Sequence, residues 1–231
     1  MLLSVIMPVY NEEKTILEII DRVRNCGLDK LQLIIVDDCS TDGTRDKLAA
    51  LPASENLTVL YHERNQGKGA AIATAQEHVK GEVMVIQDAD LEYSPAEFVR
   101  MLPFIAEDKA DAVFGSRYSG STTLVDTFWH YYGNRIITGF FNLAANRHLT
   151  DMETCYKMIK ADLFKSIKLK SKRFGFEPEI AAKLIRKGAR IYEIPIEYAP
   201  RLSKHGKKIG WKDGVAAFWH IIRYCWLDRD V

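Results

Sequence analysis

Cysteine is scarce in this chain. Cys26, Cys39, Cys155 and Cys225 are widely spaced in 231 residues and form no C-x-x-C, which excludes a zinc-ribbon or thioredoxin-like site and leaves no disulfide framework. A reduced, cytosolic protein is expected. No stretch reaches the roughly 18 consecutive apolar residues of a membrane-spanning helix. Met1-Leu2-Leu3-Ser4-Val5-Ile6 runs into a strand pattern without the basic segment and cleavage site of a secretory signal. G-x-x-x-x-G-K-S/T and G-x-G-x-x-G are absent, so there is neither a P-loop nor a dinucleotide fingerprint. Internal repeats and low-complexity tracts are absent too. No nucleic-acid partner is expected.

What is present is ordinary in bulk and uneven in distribution. A hydrophobic share of 47% and a charged share of 27% fit a folded globular protein. The net charge of +1 hides an asymmetry: residues 1–115 hold 11 Lys and Arg against 20 Asp and Glu, whereas residues 116–231 hold 21 against 11. An acidic half can hold a metal, and a basic half can hold phosphates or face an anionic surface.

The first half alternates strands and helices. Strands are expected at Leu3–Val9, Leu31–Val36, Leu57–His62, Val83–Gln87 and Ala112–Gly115. Helices are expected at Glu12–Asn25, from near Thr44, at Gly67–Val79 and at Ser94–Ala106. The pattern predicts an α/β fold with a mostly parallel sheet and helices on both faces. The second half adds an aromatic segment at 124–146, a helix at Phe176–Lys187 and a strand at Ala189–Ile196. A basic loop at Arg201–Lys212 and a Trp-rich helix at 211–227 complete it.

In such sheets ligands bind at the carboxyl ends of the strands, and polar residues collect there. Pro8-Val9-Tyr10-Asn11-Glu12, Asp37-Asp38, Arg64-Asn65, Asp88-Ala89-Asp90 and Ser116-Arg117 each follow a strand. Two carboxylates one residue apart repel unless a cation neutralises them. Mg²⁺ takes one or two protein carboxylates and leaves positions for water and phosphate, so Asp88 and Asp90 suggest a metal-bridged diphosphate, with Glu92 a third oxygen or a helix-start residue. Asp38, or its neighbour Asp37, suits a base or ribose, or else caps a turn; Pro8 and Tyr10 can wall a base, and Glu12 can reach a ribose. Lys68, between two glycines that suit tight packing, lies beside this nucleotide position.

Five segments in this order resemble the family-2 glycosyltransferases of GT-A (Rossmann-like) fold. They are Val5–Glu12, Ile35–Thr44, Asn65–Gly69, Asp88–Asp90 and Gly115–Tyr118. The subgroup is similar to dolichol-phosphate mannosyltransferase-like enzymes, and the likeness continues more loosely through Asp151, Phe176–Glu179 and Arg201 to Lys208. It implies a single catalytic domain over 1–231, with a nucleotide-sugar and metal half at 1–118 and an acceptor half at 119–231. It implies Mg²⁺ or Mn²⁺ at Asp88, Asp90 and Glu92, and a nucleotide site at Pro8, Val9, Tyr10, Glu12, Asp37, Asp38, Lys68 and Ala89. Asp88, Asp90, Arg117 and Arg201 are the implied catalytic set. Asp151–Tyr156 and Gly206-Lys207-Lys208-Ile209 depart from the mannosyltransferase patterns, so a UDP-sugar stands beside a GDP-sugar as donor.

Transfer to a polyprenyl phosphate needs no base, because the acceptor oxygen is already ionised. It needs cations, and Arg117, Arg135, Arg201, Lys204, Lys207 and Lys208 are candidates. Transfer to a saccharide hydroxyl would need a base, for which Asp151 and Glu153 are available. The aromatic segments at 124–146 and 211–227 suit helices lying peripherally in a cytoplasmic membrane face, or packing on the sheet or in a homo-oligomer. Two readings of another class remain: a phosphoacceptor signalling domain built on Asp37-Asp38, and a non-catalytic nucleotide-binding protein.

Overall fold

The computed structural model describes residues 1–120, 127–173, 175–200, 211–228 and 230. Strands β1 (Leu3–Val9), β2 (Leu31–Asp37), β3 (Leu57–Tyr61), β4 (Val83–Ile86), β5 (Ala112–Ser116), β6 (Lys157–Lys160) and β7 (Ile191–Pro195) form one sheet in the order β3-β2-β1-β4-β6-β5-β7. β1 pairs in parallel with β2 and with β4, in register from Leu3 opposite Leu31 and Val83. β5 pairs in parallel with β7. β6 alone runs against its neighbours β4 and β5.

Both faces of the sheet are buried, which is why the strands read as continuous apolar runs. Leu3, Val5, Met7 and Val9 face one core with Ile16, Ile19 and Ile20 of α1 (Ile16–Arg24), Leu48 of α2 (Thr44–Ala49) and Phe98, Met101 and Ile105 of α4 (Phe98–Ala106). Ile6, Ile34 and Val36 face the other core, against Ala71, Ile72 and Ala75 of α3 (Lys68–Gln76). That core also takes Phe141 of α5 (Phe128–Ala145), Phe164 of α6 (Ala161–Lys165), Ile180 and Leu184 of α7 (Phe176–Arg186) and Ile221 of α8 (Trp211–Ile222). Among the described residues, no helix is long and apolar enough to cross a membrane.

Two expectations change. The first helix begins at Ile16 rather than Glu12, because Asn11 takes φ +55° and Glu12 is tied to Thr44 Oγ1 through its backbone N–H at 2.9 Å. The strand β6 and helix α6 fall where no element was expected. β6 is four residues long and bounded by Lys157 and Lys160, too short and too charged at its ends to show as a strand.

Candidate functional site

The strand order reverses between β1 and β4, and in doubly wound sheets that switch opens a crevice at the carboxyl edge. Because β6 is antiparallel, the segment leading into it reaches this same edge. The chain therefore places Asp151–Tyr156 between the ends of β4 and β5, beside Asp88–Asp90 and Arg117.

Lys68 Nζ lies 2.7 Å from Asp88 Oδ1, 2.7 Å from Cys155 Sγ and 3.5 Å from Glu177 Oε1. Burial opposes charge on both partners, but Lys68 holds the Asp88 carboxyl below its ordinary value and the surrounding anions hold Lys68 well above its own. The glycines flanking Lys68 serve packing. A Cβ on Gly67 would lie 2.3 Å from the Lys172 carbonyl oxygen, and one on Gly69 2.1 Å from that of Ser171.

The loop after Asp88 is held from both sides. Asp90 Oδ1 accepts the Glu92 N–H at 3.2 Å, and Glu92 Oε2 accepts Tyr198 O–H at 2.7 Å. Tyr93 stacks on Tyr156 with centroids 5.1 Å apart. Among the described residues, no three His, Cys, Asp or Glu side chains converge as a metal-binding cluster. The donor set fits a hard divalent cation held by one or two carboxylates and completed by water and phosphate oxygens, not a closed protein cage.

Arg117 and Asp151 form a forked pair: Nε and Nη2 donate to the two carboxylate oxygens at 2.7 Å each, and the Arg117 backbone N–H adds a third bond at 3.1 Å. Asn134 of α5 donates to Asp151 Oδ1 at 3.4 Å. Burial opposes ionisation, yet Arg117 keeps Asp151 below the ordinary carboxylate range. Two residues on, Glu153 behaves oppositely: burial and the nearby Glu177 push it up to about 8. Glu153 Oε1 and Glu177 Oε2 are buried without a hydrogen-bond partner. Of the two candidate bases, Glu153 is the one pushed up and Asp151 the one held down.

On the nucleotide side, Pro8 is half-buried, Tyr10 is exposed and Glu12 is buried. Asp37 pairs with Arg45 at 2.5 Å and accepts from the Ser40 N–H. Asp38 accepts the Gln66 and Gly67 backbone N–H groups at 2.8 and 2.6 Å and bonds His62 Nδ1 at 2.7 Å. Both carboxylates thus brace the loops that follow β2 and β3. Glu177 and Cys155, which join the Lys68–Asp88 cluster, lie in stretches the resemblance singled out, Phe176–Glu179 and Asp151–Tyr156, but neither was given a role from the sequence. Arg135 lies on the exposed side of α5. Arg201, Lys204, Lys207 and Lys208 lie outside the described residues.

Helix α5 has two faces. Asn134, Thr138 and Phe141 are buried, while Trp129, Ile136 and Leu143 are 82%, 61% and 79% exposed. On α8 Trp219 is exposed, as is Trp226 in the π-helical turn Arg223–Leu227 that follows it.

The sequence pattern described as Glycosyl transferase family 2 matches residues 4–168. The glycosyltransferase AglJ of Haloferax volcanii is 29% identical over 198 residues, covering 85% of this chain and 63% of that protein. The undecaprenyl-phosphate mannosyltransferase of Micrococcus luteus is 29% identical, covering 89% and 86% of the two chains. The dolichol-phosphate mannosyltransferase of Pyrococcus furiosus is 26% identical, covering 91% and 60%. Against several relatives the chain spans only 48% to 63% of their length. Glucosyl-3-phosphoglycerate synthase from Mycobacterium tuberculosis, solved with Mn²⁺, UDP and phosphoglyceric acid, superposes with a TM-score of 0.72 at 19% identity. That superposition covers 98% of this chain and 79% of the other, and it shows a shared GT-A fold.

Proposed function

Because the chain belongs to glycosyl transferase family 2, we propose that it moves a sugar from a UDP- or GDP-sugar to a polyprenyl phosphate at a membrane face, with inversion at the anomeric carbon. The observation that carries this reading is geometric: the Lys68–Asp88 pair on the donor side and the Arg117–Asp151 pair on the acceptor side stand at one sheet edge, where the strand order reverses. Two phosphate-rich substrates need such cations and carboxylates in one crevice.

The donor's base and ribose would lie along Pro8, Val9, Tyr10, Glu12 and the loops braced by Asp37 and Asp38. Lys68 and the Ala89 backbone would border its diphosphate. Asp90, with Asp88, would hold a divalent cation, whose chemistry when bound is Lewis-acid stabilisation of the departing diphosphate. Arg117 and Arg201 would orient the acceptor phosphate, and that already ionised oxygen attacks the sugar from the face opposite the diphosphate. The exposed aromatics of α5 suit an interfacial position, and the buried face of the same helix reaches Asp151 through Asn134. Names of relatives that act on polyprenyl phosphates support the acceptor. The Mn²⁺ and UDP in the fold relative support the donor and cofactor.

The test is transfer of radiolabelled sugar from UDP- and GDP-sugars, with Mn²⁺, to a short polyprenyl phosphate. Label in the organic phase is expected, and label only in water-soluble glycan would overturn the acceptor assignment. Glu153, pushed up to about 8, favours a second reading in which it takes the proton of a saccharide hydroxyl. In that case Glu153→Gln abolishes transfer to hydroxyl acceptors; a phosphate acceptor would survive the change.

A further inference from the structure

A second polar opening adjoins the strand-end crevice. It is a cleft of 500 Å³ lined by Arg64, Asn65, Gln66, Lys172, Arg173 and His220. One wall is the loop between β3 and α3, and the other is the segment before α7. The walls are locked together where the Lys172 carbonyl accepts the Ala70 N–H at 3.2 Å. The first wall is further fixed by Asp38, which binds the Gln66 and Gly67 backbone N–H groups. His220 of α8 contributes the remaining side.

The charge in this cleft is unbalanced. Arg64, Lys172 and Arg173 are exposed, no carboxylate lines the opening, and none of the three cations forms an ion pair among the described residues. The cations of the strand-end crevice, by contrast, are matched to acids: Lys68 with Asp88 and Arg117 with Asp151. Asn65 and Gln66 add amide donors, and His220 Nδ1 is buried without a hydrogen-bond partner. Nδ1 and Cε1 of His220 lie against Gly175, and burial, then Arg223, holds the imidazole below its ordinary pKa, so the ring borders the cleft without adding to the repulsion.

We infer that this cleft is an anion site for a phosphate group, a monoester or a diphosphate, built from side chains other than those given to the donor and acceptor. Two guanidinium groups and one ammonium suit a tetrahedral oxyanion, because arginine donates in pairs to phosphate oxygens. The group comes either from a free phosphorylated compound or from the headgroup of an anionic phospholipid. Trp219, which precedes His220, is 56% exposed, so α8 carries an interfacial aromatic next to a residue of the cleft.

The test follows the His220 Cε1–H resonance while inorganic pyrophosphate is added to the full chain, in parallel with co-sedimentation on phosphatidylglycerol and phosphatidylcholine vesicles. The control is Arg64→Gln/Lys172→Gln/Arg173→Gln, three exposed positions, with an unchanged melting temperature as the check on folding. A saturable shift below about 10 mM pyrophosphate, weakened at least tenfold in the triple variant, supports the site with a free ligand. A tenfold loss of binding to phosphatidylglycerol vesicles in the variant, with no saturable pyrophosphate shift, supports it with a lipid source. Absence of both responses, or persistence of both in the variant, overturns it. Arg64, Asn65 and Gln66 lie on the loop after β3 that also borders the donor, but the test reads only pyrophosphate and vesicle binding, so its failure leaves the donor and acceptor assignments standing.

Discussion

Asp151, which is buried, and Asp88, which is half-buried, are each paired with a cation at the same sheet edge, yet they are built for different purposes. Asp151 is closed: its side chain is fully buried, both oxygens are engaged by Arg117, and the Arg117 backbone and Asn134 complete the set. Asp88 is open: its side chain keeps 18% of its surface exposed, and Lys68 contacts one oxygen at 2.7 Å. A fully satisfied ion pair fixes geometry. A pair that leaves an oxygen toward a crevice can exchange its partner for a ligand. The contrast makes the Asp151 pair a fixed mount that holds Arg117 in place and the Asp88 pair the one that can exchange its partner.

The strongest way to break this contrast is Asp151→Ala. It leaves a buried guanidinium without its partner, and removing one member of a buried pair typically costs about 3–5 kcal/mol. Chemical denaturation should show that loss in full, and a loss below about 1 kcal/mol would mean the pair is not closed. Asp88→Asn comes next, with the opposite profile. Transfer activity should fall about 10²- to 10³-fold, a barrier change of about 3–4 kcal/mol, while the unfolding midpoint moves less than for Asp151→Ala. Mn²⁺ affinity, read by electron paramagnetic resonance, should fall with it.

Glu153 sharpens the comparison because it lies two residues from Asp151 and shifts the other way. Its folded-state value is about 8 against an ordinary 4.5. Between those values the folded protein binds the proton and the unfolded chain does not, so stability falls as pH rises and is flat below and above that window. Glu153→Gln removes the slope. Its stability should match the parent near pH 4.5 and exceed it increasingly toward pH 8, by on the order of 4 kcal/mol at the upper end, read as a widening gap in melting temperature. A constant difference across that range would show that Glu153 titrates normally.

How much of this was legible follows from how each element is encoded. The parallel strands announce themselves because both their faces are buried, so β1 reads as Leu3–Val9 from sequence and from structure alike. The polar residues after β1, β2, β4 and β5 were visible for the same reason, each ending an apolar run. Strand β6 was not visible: four residues with lysine at each end make no apolar run, and Lys157 is buried only because its ammonium donates to the Met152 and Thr154 carbonyls. Missing β6 hid the topology that carries Asp151, Glu153 and Cys155 to the site. The contact of Lys68 with Glu177 was equally hidden, since the two lie more than 100 residues apart in sequence. Contacts of that kind depend on topology rather than on local pattern.

The smallest change tests the open pair through its backbone. Gly69 carries no Cβ, and one placed there would lie 2.1 Å from the Ser171 carbonyl oxygen. The obstacle is main chain, so Gly69→Ala must displace the start of α3 from the segment before α7, an overpacking cost of about 1–2 kcal/mol. Lys68 is the neighbouring residue, and the same displacement draws its ammonium away from Asp88. Nothing in the Arg117–Asp151 pair touches this contact. The expected outcome is therefore a modest fall in melting temperature together with a loss of activity larger than that fall explains. Restoring room by shortening the opposing segment should recover both. If activity falls only in proportion to stability, Lys68 does not need its position against Asp88, and the open pair is as structural as the closed one.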